Sequence, residues 1–261
     1  MAVRFDLEGL RLLVMGASSG IGRAVAQLAG RSGARVALAA RRLDRLEQAA
    51  REAGAQALAV RCDARDADEC RRAVAATVAA FGGLDALVYA TGMSPLVMLE
   101  EASREEWREV LETNLVGAAL VTAAAVPHLK QSGGHAVYVS SYSVREPLPG
   151  LALYRVSKVA LDALIEGWRS EYPDVDFTRA MLGNTTGTEF ANAWGPERTA
   201  SAIRLWIDRG LFPAPTMMPV EVAAEAIVSV LAVRGYVDDI AIMPRQRDAS
   251  AKDAPAAQPK R

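Results

Sequence analysis

A short apolar run that breaks into glycines and then becomes a helix constrains this chain more than any other feature. Residues 12–29 read LLVMGASSGIGRAVAQLA, a strand, a turn with glycines at 16, 20 and 22, and a helix. Glycine at such a turn lets the backbone reverse tightly and brings N–H groups close to a pyrophosphate. The helix that follows offers its positive N-terminal end to the same group. Two other motifs overlap the loop. Residues 16–20 match the G-x-S-x-G nucleophile elbow, but a hydrolase needs a His from a late loop. The two histidines are His128 and His135, and His135 opens a strand. A P-loop needs Gly-Lys-Ser/Thr, and the chain reads Gly22-Arg23-Ala24. A glycine connection without a ligand is the plain alternative; the position on the first strand of a βαβ pattern argues against it.

The alternation continues along the 261 residues. Candidate strands lie at 12–15, 35–39, 57–61, 86–90, 136–140, 177–182 and 240–243. Helical patterns lie near 21–31, 43–53, 67–81, 104–128, 153–172 and 220–233. Strands separated by helices predict an α/β fold, a single-domain, doubly wound, mainly parallel seven-stranded sheet of Rossmann type covered on both faces. Residues 1–245 read as one dinucleotide-binding domain. Within it, 188–219 carry an extra helical pattern near 194–209, expected as a small helical lid over a ligand crevice. The polar, Ala- and Pro-rich stretch 246–261 is expected to be disordered.

Composition removes several function classes. The net charge is −1, so nothing points to nucleic acid or an anionic membrane. Cys62 and Cys70 are too few for a disulfide framework, and with two histidines no metal site is expected. The N-terminus carries Arg4, Asp6 and Glu8 and does not read as a secretory signal. The uncharged run 115–129 is short for a spanning helix and contains Pro127. A cytoplasmic location is the expectation.

The second strand ends at Ala40, where an acidic residue would bind the ribose of NAD, and Arg41-Arg42 follow. Arg41 is expected to take the 2′-phosphate of NADP(H) by charge-assisted hydrogen bonds, so NADP(H) is expected over NAD(H). Alternatively, both arginines solvate the start of a helix. Asp63 ends the third strand and can meet the adenine, or simply form a turn or helix cap.

Tyr154 and Lys158 stand four residues apart in a helical run, which places both on one face. A free Tyr has a pKa of about 10, and a nearby ammonium lowers it, as a general acid/base near neutral pH requires. Ser141 lies at a strand end, where open α/β sheets bind ligands, and can donate to a carbonyl oxygen as charge develops there. Ser140 points to the opposite side by strand alternation, so only one of the two can serve. Asn114 sits in an apolar helical run; its amide needs a buried partner, and either packs a helix or holds a water that relays protons to Lys158.

Taken together, the glycine loop, Asn114, Ser141, Tyr154 and Lys158, in this order and spacing, resemble the short-chain dehydrogenase/reductase family over nearly all of residues 10–244. The resemblance implies hydride transfer with NAD(P), with Tyr154 as acid/base, Lys158 holding the nicotinamide ribose and assisting Tyr154, Ser141 orienting substrate and Asn114 in a relay. It also implies a homodimer or homotetramer. The cofactor contacts expected on this basis are Gly16, Ser18, Ser19, Gly20, Ile21, Gly22, Arg41, Arg42, Asp63, Ala64, Ala90, Thr91, Gly92, Tyr154, Lys158, Gly183, Asn184, Thr186 and Thr188. The chain departs from the family at Met15, at Tyr89 to Gly92, at Val144 and at Gly183-Asn184. The first two changes remove polar groups that normally tie the sheet together.

The lid region carries Phe190, Trp194, Trp206, Leu211, Phe212, Met217 and Met218. An apolar lid suits a lipophilic or acyl-type ketone, aldehyde or secondary alcohol, although Trp206 fits better as lid packing. Expected substrate contacts are Ser94, Ser141, Tyr142, Leu148, Tyr154, Phe190 and Trp194. Two readings compete with an oxidoreductase. One is a non-catalytic dinucleotide-binding sensor or partner protein on the same fold, which the intact Ser141, Tyr154 and Lys158 argue against. The other is a nucleotide-sugar epimerase, for which a separate C-terminal substrate domain is lacking.

Overall fold

A computed structural model describes residues 5–211 and 217–245. The expected tail at 246–261 and Phe212 of the lid lie outside them. All seven expected strands form: β1 (Arg11–Met15), β2 (Arg35–Ala40), β3 (Ala57–Arg61), β4 (Ala86–Tyr89), β5 (His135–Ser141), β6 (Asp176–Leu182) and, past the lid, β9 (Asp239–Ile242). They pair in the order β3-β2-β1-β4-β5-β6-β9, every pairing parallel. The order reverses between β1 and β4, so the loops leaving those two strands border the crevice in which such sheets bind ligands.

Period-two alternation sorts the sheet into two cores. Leu12, Val14, Val36, Leu38, Val88 and Val137 face the layer of α1 (Gly20–Arg31), α2 (Leu43–Ala53) and, beyond the lid, α8 (Val220–Ala232). Leu13, Met15, Ala37, Leu87, Tyr138 and Phe177 face α3 (Ala67–Phe81), α5 (Gly117–Ser132) and α6 (Ala152–Glu171). Helices start where short polar side chains satisfy the first backbone N–H groups. Asp66 accepts from Glu69 N, and Ser103 and Glu106 form a reciprocal capping box before α4 (Arg104–Leu111).

The helical pattern expected over 104–128 differs in one way. α4 passes into a π-helical turn at Glu112–Val116 before α5 continues to Ser132. The inserted residue re-aims the side chains around Asn114. The combined helix Arg104–Ser132 is long and apolar enough to cross a membrane by length and composition, and 44% of its most apolar window is buried inside the fold.

The departure at Tyr89 restores a tie instead of removing one. The side chain is fully buried, and its hydroxyl donates to Thr113 O (2.5 Å), bolting the end of β4 to the π turn. Gly117 leaves the room: a Cβ there would sit 2.6 Å from the Tyr89 oxygen. Met15 packs in the α3/α5/α6 core. The lid begins with a two-residue parallel pairing of β7 (Thr185–Thr186) with β8 (Met218–Pro219), and contains α7 (Pro196–Asp208).

Candidate active site

Helix α6 starts beside the C-terminal end of β5, which brings Tyr154 over Ser141. The Ser141 hydroxyl is near enough to act on the phenol, and its Oγ accepts from Ser143 N (3.2 Å). One turn on, Lys158 is 2% exposed and donates from Nζ to Val139 O (2.7 Å). Its Nζ lies 5.7 Å from the centre of the Tyr154 ring. Ser140 also meets α6 but is taken up further along it, donating to Asp162 Oδ1 (2.6 Å), so of the two serines Ser141 is left for the phenol.

The electrostatics run against the expectation from spacing. Burial is the larger effect on Tyr154 and pushes its phenol up to about 12; the Ser141 hydrogen bond opposes it without reversing it. Burial pushes Lys158 down to about 8, with the Asp162 charge opposing. Lys158 points its ammonium at a backbone carbonyl, and in this arrangement its charge does not overcome the effect of burial on the phenol. At neutral pH the site holds a protonated phenol and a mostly charged ammonium, which suits proton donation to an oxygen gaining charge.

Asn114 sits in the π turn, completely buried. Its Nδ2 donates to Met93 O (2.9 Å) and Ser157 Oγ (2.9 Å), and its Oδ1 accepts from Met93 N (2.9 Å). The amide thus clamps the loop after β4 to the residue preceding Lys158. Its direct partner is Ser157, which the sequence reading missed; a serine at the middle of an apolar helix face was the available signal. A Cβ on Gly92 would meet Lys158 Nζ at 3.5 Å and Asn114 Oδ1 at 3.7 Å, so both groups border the same small space.

The glycine loop is closed around its own backbone. Gly16 has φ +82, and a Cβ there would lie 2.8 Å from Thr91 N; one on Gly22 would lie 2.5 Å from Gly16 O. This tight cradle, with Ser18, Ser19 and Ile21 around the start of α1 and Ala90, Thr91 and Gly92 after β4, fits a pyrophosphate at a helix N-terminus. Arg42, not Arg41, reaches the loop: its Nη2 donates to Ser18 Oγ and Ser19 Oγ (3.0 Å each). Arg41 is exposed, and its charge acts on Asp63. The Asp63 carboxylate is held by Arg65 (2.7 Å), which lowers its pKa, and it accepts from Arg65 N in a local turn. That is the turn role weighed for it from sequence. Ala64 is buried beside Cys70.

The lid leans on this loop. Thr188 packs on Gly20, 3.5 Å from where a Cβ would be, and Glu189 pairs with Arg42 (2.7 Å) and Arg45. Glu189 and Arg45 were not foreseen, because nothing local links a residue after β6 to one on α2. Gly183 N donates to Ile242 O (2.9 Å), and Asn184 O accepts from Met218 N (2.9 Å), so both shape the lid base; Thr186 is exposed beside them.

Above the phenol, Phe190 stands 4.8 Å from the Tyr154 ring and 5.3 Å from the Trp194 ring. Trp194 Nε1 donates to Ser94 O (2.8 Å). Ser94 is buried with its hydroxyl on Pro95 O (2.7 Å), so only its backbone serves the lid. Leu148 packs with Leu96, Leu151 and Trp206, and Trp206 is lid packing, as weighed from sequence. Tyr142 is half-buried next to Ser141, with Arg145 over its ring.

A family model described as short chain dehydrogenase matches residues 11–199. The protein named 11-beta-hydroxysteroid dehydrogenase-like 2 of Arabidopsis thaliana is 32% identical over 223 residues, 78% of this chain and 72% of that protein. The 11-beta-hydroxysteroid dehydrogenase A of Sesamum indicum is 36% identical over 184 residues, 68% of this chain and 53% of that protein, so the chain spans about half the length of that relative. Among solved structures, an alcohol dehydrogenase from the archaeon Thermococcus sibiricus complexed with 5-hydroxy-NADP aligns with TM-score 0.76 at 28% identity, over 88% of this chain and 94% of that one. A short-chain dehydrogenase/reductase from Serratia marcescens aligns with TM-score 0.80 at 26% identity, over 92% and 98%.

Proposed function

This chain belongs to the short-chain dehydrogenase family and is an NAD(P)-dependent oxidoreductase, and from that premise we propose that it interconverts a lipophilic or acyl-type carbonyl and its secondary alcohol with NADP(H) in preference to NAD(H). The observation that carries the reading is Tyr154 at the start of α6 beside Ser141 at the end of β5, with buried Lys158 one turn behind it and an aromatic lid above.

Bound nicotinamide supplies or accepts the hydride. The chain's own residues do the rest. In reduction, Ser141 donates a hydrogen bond to the carbonyl oxygen while Tyr154 delivers its proton to the same atom. In oxidation Tyr154 takes the proton back. Lys158 would hold the ribose hydroxyls, and its positive charge offsets the negative charge left on the phenolate. The glycine loop would hold the pyrophosphate, with Arg42 fixing Ser18 and Ser19. Arg41, exposed and without an ion-pair partner among the described residues, is the group for the 2′-phosphate.

Phe190 and Trp194 favour an apolar substrate, and the steroid-dehydrogenase names of the plant relatives agree with that. Val116, Val156 and Val159 are exposed near the π turn and along α6, which supports a homodimer or homotetramer. A cytoplasmic location completes the proposal.

The test is a panel of apolar ketones, aldehydes and alcohols followed by nicotinamide absorbance with both cofactors. Turnover of apolar carbonyls, faster with NADPH, is expected. Tight NADPH binding with no oxidation across the panel would overturn the enzyme reading in favour of a sensor.

A further inference from the structure

Tyr154, Lys158 and Asp162 follow one another at i, i+4 and i+8 on α6, so they share one face. The last three residues of β5 receive them in turn. Ser141 neighbours the phenol, Val139 O accepts from the ammonium (2.7 Å), and Ser140 Oγ donates to Asp162 Oδ1 (2.6 Å). Asp162 Oδ2 lies 3.5 Å from Arg179 Nη1 on β6, and Arg179 in turn pairs with Asp239 on β9. The Asp162 side chain is only 12% exposed.

We propose that Asp162 is a positioning residue for the reaction: its carboxylate, anchored by Ser140 and Arg179, holds Lys158 in the charged form beside Tyr154.

Lys158 needs such a partner. A buried ammonium with one carbonyl bond loses most of its hydration, and a nearby carboxylate is what favours the charged form. The groups around it leave few candidates among the described residues. α6 offers Tyr154 and Asp162. β5 offers a carbonyl and two hydroxyls, and the π turn offers the uncharged amide of Asn114. β6 offers Arg179, of the wrong sign, with Asp239 on β9 beyond it. Burial lowers Lys158 and Asp162 is the group that opposes it, in agreement with this geometry. The effect on turnover rests on the oxidoreductase reading; the electrostatic coupling does not.

The chain has four lysines, Lys130, Lys158, Lys252 and Lys260, so the Nζ-bearing carbons of isotope-labelled lysine give four resolvable titrations by NMR. In Asp162→Asn the Lys158 midpoint should fall by about one unit or more, and Asp162→Glu should restore it. Ser140→Ala removes a hydrogen bond but keeps the charge, so it should move the midpoint less than Asp162→Asn. In kinetics, the alkaline limb of kcat for carbonyl reduction should shift to lower pH in Asp162→Asn by a similar amount. An unchanged Lys158 midpoint in Asp162→Asn, or an equal shift in Ser140→Ala, would overturn the proposal. Should Asp162→Asn fail to fold, the wild-type Lys158 resonance must show a second inflection in the carboxylate range, and its absence counts against the coupling. If the wild type turns over no carbonyl yet Lys158 shifts as expected, the oxidoreductase reading fails and the coupling stands. If the wild type is active and Lys158 does not respond, the coupling alone fails.

Discussion

At Tyr154 two influences compete, and burial outweighs the hydrogen bond from Ser141. The residue types of the site were legible because a Tyr, a Lys and a Ser at these spacings have few other reasons to meet. The direction of the phenol shift was not legible, since it depends on how completely the lid aromatics and α6 exclude water. With the phenol at about 12 and Lys158 at about 8, the first group to lose its proton on raising pH is Lys158. The kcat for carbonyl reduction should therefore hold through neutrality and decline as pH rises through about 8. A profile flat across that range would contradict this assignment. At the nucleotide end, Arg41→Ala should cost about 10- to 100-fold in kcat/KM with NADPH and little with NADH, the worth of a charge-assisted hydrogen bond. Arg42→Ala, which frees the loop serines, should weaken both cofactors. An unchanged NADPH preference in Arg41→Ala would remove that residue from the phosphate.

Among the elements, strands and helices were readable because their apolar periods, 2 and 3.6, differ. The π turn at Glu112–Val116 was not, because one inserted residue leaves a helical pattern on either side. Its position is set by long-range contacts instead: Tyr89 reaching Thr113, and Asn114 reaching Met93 and Ser157. Contacts of the lid with α2 through Glu189 were invisible for the same reason. Tyr89→Phe keeps the buried ring but removes the bond to Thr113 O, so it should destabilise the fold by about 0.5–1.5 kcal/mol in urea unfolding. It should also raise hydrogen exchange within the π turn. A variant as stable as the wild type would mean that this bond does not hold the turn.

For the molecule as a whole, stability should depend on His135 at the start of β5. Its Nε2 lies 2.8 Å from Thr178 Oγ1, whose own proton goes to Val237 O, so Nε2 carries a proton and donates. Burial pushes its pKa down to about 4 from 6.5. The unfolded chain then binds more protons between these values, and stability present above pH 6.5 is lost as pH falls toward 4, by at most about 3 kcal/mol. His135→Gln should flatten that part of the unfolding midpoint against pH; an unaltered slope would assign the acid sensitivity elsewhere. The seven-stranded order needs no such fine balance, because two continuous apolar cores specify it from opposite faces. What the whole arrangement does at its crevice is most directly tested by Tyr154→Phe, assayed for NADPH binding by fluorescence and for carbonyl reduction by absorbance on the same preparation. Binding within about twofold of wild type with turnover reduced by about 10²-fold or more is the expected result; turnover near the wild-type rate would contradict the role given to the phenol.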